Sequence, residues 1–548
     1  MGVGDTDVQA AFAATLVDEW VRGGVTRAIV CPGSRSTPMA VALAAHPGMV
    51  VHVRLDERSA AFTGLGIGLA GGHPAVVVTT SGTAAAELHA AVVEADLGGV
   101  PLLVCTADRP PELRDVGAPQ TIDQHRLFGD AVRWFVDPGL ADDGNRPTWR
   151  PLAARSVAEA MAGPNGPGPV HLNLPFREPL LGDPAAGGIP AGRDGGRPWH
   201  RVEVGAPAAP GAVVGRITAA GRAGVPGLIV AGAGCGDPAA VLAAAAALGW
   251  PVLADPRSGL RGMAGETVAA ADGILRSAAF ATAHRPGFVL RLGAPWVSKV
   301  VTTYLALVAD RGAETASVDP WWRWVDPDRS VTVTARTDPT PLCRAVVASA
   351  GGGVPDAGRA WRDTWLAAEA AAQGAVDRAL VGLGGWSEPA LARRLVALLP
   401  SGADLMVSSS MPIRDVEAYG APRPGFARVL ANRGANGIDG VVSTALGVAL
   451  AGSGPTVALV GDLAFLHDVS ALVRGAGREA ACTVVVADNG GGGIFSFLPA
   501  ASDLPADSFE TLFGTPQRVD VGVVAAGFGL PVVEIDDGDD GDVLSGAL

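Results

Sequence analysis

Short β-branched runs, each closing on a small, polar or charged residue, recur along the whole chain. No other feature limits the fold as strongly. RAIVCPG, AVVVTTSG, PLLVCTAD and PVHLNLP fall in the first third, and GLIVAGAG, PVLADP and FVLRLGA in the middle. LMVSSS, TVALVGD and CTVVVADNGG follow in the last part. Ala/Leu-rich segments of helical length lie between them. Apolar runs without alternation are strands buried on both faces, and strands alternating with helices build parallel sheets from right-handed βαβ units. Ligands of such sheets gather at the carboxyl ends of strands, where the polar residues stand. With 548 residues the chain exceeds one core. Residues 181–212 and 349–358 are Gly/Pro/Ala-rich with little periodicity and read as linkers. The expectation is an α/β protein of three doubly wound parallel-sheet domains, over 1–185, 205–348 and 375–548.

Charge narrows the partners. The net charge of −14 repels nucleic acid and anionic membrane, so neither is expected as a partner. An anionic small substrate would then depend on a local set of cations. Almost all of these are arginines, and Lys299 is the only lysine. The run AAVLAAAAALGWPVLA is broken by Gly and Pro and reads as helix then strand, not as a membrane span. The start, MGVGDTDVQAAF, lacks the basic and apolar regions of a signal peptide. Five cysteines, an odd number without zinc spacing, sit mostly in apolar runs, which points to a reducing, cytoplasmic setting.

Two glycine patterns are tested by context. Gly66-Ile67-Gly68-Leu69-Ala70-Gly71 matches GxGxxG but lies inside a helical stretch, where glycines serve close helix packing. GAGCG, residues 232–236, does follow a strand, yet no acidic ribose partner accompanies it. The segment from Gly461 to Phe495 says more. Asp462 ends the strand TVALV, a helix-like run follows, and a second strand ends in Asp488-Asn489 and four glycines. Adjacent parallel strands would place Asp462 and Asn489 side by side. A carboxylate and an amide oxygen, with a backbone oxygen from Gly491, form a set that Mg²⁺ (or Mn²⁺) accepts when a diphosphate fills other positions. Leu463 and Ala464 open the helix after Asp462, where partial positive charge favours phosphate.

This arrangement resembles the GD…N pattern of thiamine-diphosphate enzymes. That resemblance implies a protein carboxyl group in an apolar slot, bonded to the aminopyrimidine ring of the cofactor. Glu57, in RLDERSAAF between a strand and a packed helix, is the candidate. Desolvation there would raise its pKa. Asp56 is the alternative, with a shorter reach and a possible role as helix cap.

Further motifs narrow the resemblance. CPGSRSTP (31–38), DERSAAF (56–62), TTSGTAAAE (79–87), TADRPPELRDVGAPQTIDQ (106–124), ANRGANGIDG (431–440), GDLAFLHD (461–468) and NGGGGIFSFLP (489–499) are similar to those of one family. It is the 2-succinyl-5-enolpyruvyl-6-hydroxy-3-cyclohexene-1-carboxylate synthase family, of menaquinone biosynthesis. The resemblance covers about residues 8–530. It implies decarboxylation of 2-oxoglutarate and 1,4-addition of the succinyl semialdehyde unit to isochorismate. It names the three domains as pyrimidine-binding, central and pyrophosphate-binding. Substrate contact is carried over to Arg35, Arg109, Gln120, Lys299, Ser410 and Arg414, with Ile494, Phe495 and Leu498 as an apolar wall. Cofactor contact is carried over to Ser410, Arg433 and Ile438 beside Asp462, Leu463, Ala464, Asn489 and Gly491. His125 and His467 are read as structural, and Trp321, Trp322 and Trp324 as packing for the central domain.

The family pattern also implies a homodimer or homotetramer with active sites at the subunit interface. It implies a shortened last domain, since the chain stops at PVVEIDDGDDGDVLSGAL where relatives continue. The rival expectations are another thiamine-dependent 2-oxo acid carboligase or decarboxylase, and an inactive metabolite-binding homologue.

Overall fold

In the computed structural model the expected strands form, and every described pairing between strands is parallel. The structure describes residues 3–548 apart from 204, 206, 264, 265, 453, 474–479 and 537–541. Packing divides the chain into two units. The first combines residues 1–204, 432–492 and 515–531; the second combines 205–431, 493–514 and 532–548.

In the first unit six strands form one sheet: β1 (Arg27–Val30), β2 (Val50–Val53), β3 (Ala75–Thr79), β4 (Leu102–Asp108), β5 (Trp134–Val136) and β6 (Pro169–Pro175). Their order is β2-β1-β3-β4-β6-β5. Every residue of β3, β4 and β6 is buried, as unalternating apolar runs require. Side chains take opposite faces by turns. Val76, Val78, Leu103 and Cys105 pack with Leu16, Trp20, Met39 and Trp149 on one face. Val77, Leu102 and Val104 pack with Phe62, Leu65, Ala91 and Val92 on the other. Helices therefore cover both faces, the doubly wound arrangement.

The helix Glu57–Gly71 follows β2. Asp56 caps it, accepting from the Ser59 N–H at 2.9 Å, and Gly72 closes it at φ 69°. This helix lies on the helix Val441–Ala451 with backbone against backbone. A Cβ at Gly66 would stand 2.0 Å from the Thr444 carbonyl oxygen, and one at Gly447 would stand 2.1 Å from that of Thr63. The GxGxxG glycines thus serve helix packing. β15 (Thr456–Gly461) and β16 (Cys482–Ala487) pair in register from Thr456 beside Cys482 to Gly461 beside Ala487. The helix after β15 is short, Asp462–His467. It is followed by a 3-10 turn at Val469–Leu472 rather than by one continuous helix.

The second unit holds a second six-stranded sheet: β7 (Gly227–Ala231), β8 (Val252–Ala254), β9 (Thr267–Val268), β10 (Phe288–Leu292), β11 (Glu314–Val318) and β12 (Val333–Ala335). The order is β12-β11-β10-β7-β8-β9. It also holds the pair β13 (Asp404–Val407) and β14 (Arg428–Leu430). A helix of 28 residues, Asp356–Leu383, begins inside the second glycine-rich stretch. The tryptophan expectation fails in part. Trp322 is 47% exposed and Trp324 78% exposed, meeting each other edge to face in a turn where Trp322 has φ 66°. The reason is that Asp319 pins the turn through the Trp321 N–H and the Arg323 guanidinium, which leaves the next two rings outside. All five cysteines are free. No helix among the described residues is long and apolar enough to cross a membrane. The acidic glycine-rich stretch near the end lies largely outside the described residues, at 537–541.

Candidate active site

β1 lies between β2 and β3, so the connection after β1 runs toward β2 while the one after β3 runs the other way, toward β4. A crevice opens at the carboxyl ends of strands at such a switch point. A cavity of about 530 Å³ occupies it, lined by Pro32 after β1, Asp56 and Glu57 after β2, and Thr80, Ser81, Thr83, Ala84 and Glu87 after β3. Gln120, from the loop after β4, completes the lining. Three carboxylates and no cation face it. Burial pushes the Glu57 carboxyl above its ordinary range, its own backbone N–H opposes this, and Asp56 and Glu87 add to the rise. Both carboxylates of the pair line the cavity, but Asp56 is engaged as the helix cap and Glu57 is not.

Arg35 is 4% exposed and donates to the Phe176 carbonyl at 2.9 Å and to Glu178 at 2.8 Å. Burial lowers its pKa, and the nearby Arg109 guanidinium lowers it further. Arg109 donates through Nε and Nη2 to the Pro119 carbonyl, at 3.2 and 3.1 Å, and so holds the loop that carries Gln120. Gln120 has φ 52°, and its carbonyl accepts from the Ser81 hydroxyl at 2.9 Å. One residue here was passed over in the sequence. Buried Gln124 accepts from the Gly82 N–H at 2.9 Å and donates to Asn173 at 2.9 Å and to the Ala107 carbonyl at 3.2 Å. It ties the β3 loop to the β4 loop. Its place in TIDQ, on the same loop as Gln120, carries no mark, because nothing in sequence distinguishes a buried glutamine from an exposed one.

The second group sits at the ends of β15 and β16. Their register places Gly461 beside Ala487, which brings Asp462 to the turn 488–491. Asp462 is 3% exposed, and its Oδ2 has no hydrogen-bond partner among the described residues. Burial raises its pKa and Asp488 adds to that, while the Leu463 and Gly491 N–H groups oppose. Asn489 is exposed, and its Oδ1 accepts from the Gly491 N–H at 3.2 Å. Asp462, Leu463, Asn489 and Gly491 therefore meet, with Ala464 buried one residue on. None of them lines the Glu57 cavity. Arg433 and Ile438 stand on the loop before the helix Val441–Ala451, both partly buried.

The remaining candidates belong to the second unit. Ser410 precedes the helix Met411–Tyr419 with φ 75°, a strained value for a residue with a side chain, and Arg414 is exposed on the first turn. Fully buried Arg261 holds the far end of that helix, donating to the carbonyls of Val416, Glu417 and Gly420 at 3.1, 2.8 and 2.9 Å. Lys299 is exposed as the first residue of the helix Lys299–Asp310, after the cap Ser298. Ile494 and Phe495 lie on the turn Gly493–Phe497, with Phe495 5.6 Å from Phe513. Leu498, just beyond, is 47% exposed.

Three family descriptions match the chain in succession. Residues 8–127 match the thiamine pyrophosphate enzyme N-terminal TPP binding domain, 222–407 the middle domain, and 422–545 the C-terminal TPP binding domain. The chain is 43% identical over 538 residues to 2-succinyl-5-enolpyruvyl-6-hydroxy-3-cyclohexene-1-carboxylate synthase of Myxococcus xanthus, covering 95% of this chain and 89% of that one. Relatives of the same name from Geobacillus kaustophilus and Thermobifida fusca are 45% and 43% identical, over 93% and 96% of this chain and 88% and 92% of their own. The chain belongs to this synthase family.

Within the synthase-family frame, the Glu57 cavity falls in the N-terminal TPP-binding segment and the Asp462–Gly491 group in the C-terminal one. Ser410 and Arg414 fall between the middle and C-terminal segments. The donor set suits the cofactor at both ends. An anionic cavity suits a cationic ring, and a buried carboxylate oxygen without a partner suits a cation. No group of three or more His, Cys, Asp or Glu residues poised for a metal occurs among the described residues.

Proposed function

We propose that the chain is a thiamine-diphosphate-dependent carboligase that decarboxylates 2-oxoglutarate and adds the succinyl semialdehyde unit to isochorismate in a 1,4 sense. The products are CO₂ and 2-succinyl-5-enolpyruvyl-6-hydroxy-3-cyclohexene-1-carboxylate. The observation that carries this reading is the Glu57 carboxyl group, raised by burial, in a cavity at the switch point of the first sheet. The relatives' common name supports it over another thiamine carboligase or an inactive homologue.

When bound, thiamine diphosphate supplies the carbon nucleophile that the decarboxylation of a 2-oxo acid requires. Glu57 would exchange a proton with a ring nitrogen of the bound cofactor, a task suited to a carboxyl group whose pKa burial has raised. Asp56 and Glu87 keep that wall anionic, which favours a cationic ring and repels a dianionic substrate. The substrates would therefore meet the cations instead. Arg35 and Arg109 stand beside each other on the first unit, and their planar forks match carboxylates. Arg414, Ser410 and Lys299 are candidates on the second. Ile494, Phe495 and Leu498 would supply apolar surface.

Asp462, Asn489 and a Gly491 backbone oxygen would hold Mg²⁺ or Mn²⁺. The buried, unpartnered Oδ2 supports this assignment. Leu463 and Ala464 would offer N–H groups to the diphosphate, with Arg433 and Ile438 nearby. The Glu57 cavity includes no residue of the Asp462 group, which supports a complete site made by two copies of the chain, as a homodimer or homotetramer. A cytoplasmic location accords with the five free thiols.

The test is product identification. Purified protein with thiamine diphosphate, Mg²⁺, 2-oxoglutarate and isochorismate should release CO₂ and form the adduct, read by mass spectrometry. CO₂ release without the adduct would discard isochorismate as acceptor. No turnover alongside tight cofactor binding would discard the enzyme.

A further inference from the structure

The loop that carries Arg433 and Ile438 is held by a residue far away in sequence. Glu94, on the helix His89–Gly98, is 5% exposed. Its Oε1 accepts from the Gly434 N–H and its Oε2 from the Ala435 N–H, both at 2.7 Å. The Asn436 N–H also bears on this carboxylate. Successive N–H groups converging on one anion form a nest, and Asn436 has the left-handed φ of 67° typical of such a turn. The anion here is part of the protein itself.

Two close approaches fix the loop against the same surface. A Cβ at Gly434 would stand 2.6 Å from both the Glu94 carbonyl oxygen and the Gly98 nitrogen. A Cβ at Gly440, where φ is 65°, would stand 2.0 Å from the Phe62 ring. The loop is thus clamped at one end on the Glu94 helix and at the other on the helix that begins with Glu57. Ile438 stands between the clamps and Arg433 immediately before the first, both partly buried. Among the described residues, these three N–H groups are the hydrogen-bond partners of the Glu94 carboxylate. Burial works against its charge and Asp439 adds to that, so holding the anion there costs free energy that only the three N–H groups offset.

We propose that Glu94 is a positioning residue of the thiamine-diphosphate site: its carboxylate fills the nest at 434–436 and sets where Arg433 and Ile438 meet the cofactor. This rests on the reading of Arg433 and Ile438 as cofactor contacts. Glutamine at 94 retains the shape, but its NH₂ faces an N–H donor, so one end of the nest loses its acceptor. The loop then relaxes while the helix beneath it stays.

The test compares wild type, Glu94→Gln and Asp462→Ala as full-length proteins. Thiamine diphosphate with Mg²⁺ is titrated by calorimetry, and KM for 2-oxoglutarate is measured at saturating cofactor. Glu94→Gln should weaken cofactor affinity about tenfold, with KM for 2-oxoglutarate unchanged within about twofold. A role in folding alone would lower the melting temperature and leave that split absent. Amide exchange on the cofactor-free wild type gives a second reading, in which Gly434, Ala435 and Asn436 should be protected. Cofactor affinity in Glu94→Gln equal to wild type overturns the proposal. So does fast exchange of the three amides, which decides the matter alone if the variant does not fold. If wild type fails to bind thiamine diphosphate, the functional reading fails instead. If wild type binds, Asp462→Ala does not, and Glu94→Gln binds normally, only the role of Glu94 is lost.

Discussion

The two six-stranded sheets share a plan and differ at the place where the plan predicts a ligand. In each, the first strand lies between its successor and a later strand on the opposite side, β1 between β2 and β3, and β7 between β8 and β10. Each should open a crevice at the carboxyl ends of those strands. In the first sheet it holds a cavity of about 530 Å³ faced by Asp56, Glu57 and Glu87. In the second, the loops after β7 and β10 fill it. A Cβ at Gly232 would lie 1.8 Å from the Ala294 carbonyl oxygen, and one at Gly293 would lie 2.3 Å from that of Ala233. The Ala294 N–H donates to the Ala233 carbonyl at 2.8 Å, so the loops bond directly. Topology thus locates a crevice, and the side chains missing at its rim decide whether it stays open. Glycine after a strand here marks close contact between two backbones, where a nucleotide loop would use it to approach phosphate.

The largest effect should come from the open crevice. Glu57→Gln keeps the shape and removes the acid. Turnover should fall by about 10²–10⁴-fold with cofactor affinity little changed, by steady-state kinetics and calorimetry. Near-normal turnover would leave the first crevice with no catalytic role and erase its contrast with the second.

The closed crevice makes the opposite prediction. Gly232→Ala forces a methyl group into the Ala294 carbonyl and should cost about 3 kcal/mol of stability, seen as a lower denaturation midpoint. Cofactor affinity should stay the same. A stable variant would mean that the loops can part, and the second crevice would become a candidate site again.

Much of this was legible in the residues. The apolar runs gave β1, β3, β4, β6, β7, β8, β10, β13, β15 and β16, because a run buried on both faces favours a parallel sheet, while β11, with Glu314, Thr315 and Ser317, carried no such run. The seam at Asp56-Glu57 gave the carboxyl group, and the register of β15 and β16 confirmed that GD and DN end side by side. What the sequence hid depends on distance. Gln124, Arg261 and Glu94 act on residues in other loops or far along the chain, and a polar residue inside a mixed segment carries no mark of its partner. The fate of the second crevice was hidden in the same way, since Gly232 and Ala294 are neighbours only in the fold. The exposed pair Trp322 and Trp324 ran against expectation because a local turn at Asp319 outweighed the burial preference of the rings.

A third strand end asks whether an open crevice is enough. Asp462 belongs to the first unit but lines no part of the Glu57 cavity. Asp462→Ala should weaken Mg²⁺-dependent binding of thiamine diphosphate by about 10–100-fold. Titration with and without Mg²⁺ measures this. If affinity holds, the Glu57 crevice carries the cofactor unaided, and the group at β15 and β16 is only a turn.

Acid should separate the two sheets by a smaller margin. His171 lies in β6, fully buried, with its ring beside Phe128 and Phe135 and its Nε2 on the Thr106 hydroxyl at 2.8 Å. Burial, with a smaller contribution from the nearby His125, pushes its pKa down to about 3. An unfolded histidine titrates near 6.5. Between those values the unfolded chain holds a proton that the folded one refuses, so stability falls as pH drops below 6.5. At pH 5 the loss from this residue is about 2 kcal/mol. No strand of the second sheet contains a histidine. Amide exchange at pH 7 and pH 5 should therefore show β4 and β6 losing protection while β7 and β10 change less. His171→Gln should remove most of that difference, since an amide N–H can donate to the Thr106 hydroxyl oxygen, whose own proton goes to Asn173, and an amide does not titrate. Equal loss in both sheets would mean that acid acts through the surface carboxylates of the whole chain, and that the interior of the first sheet is no more sensitive than that of the second.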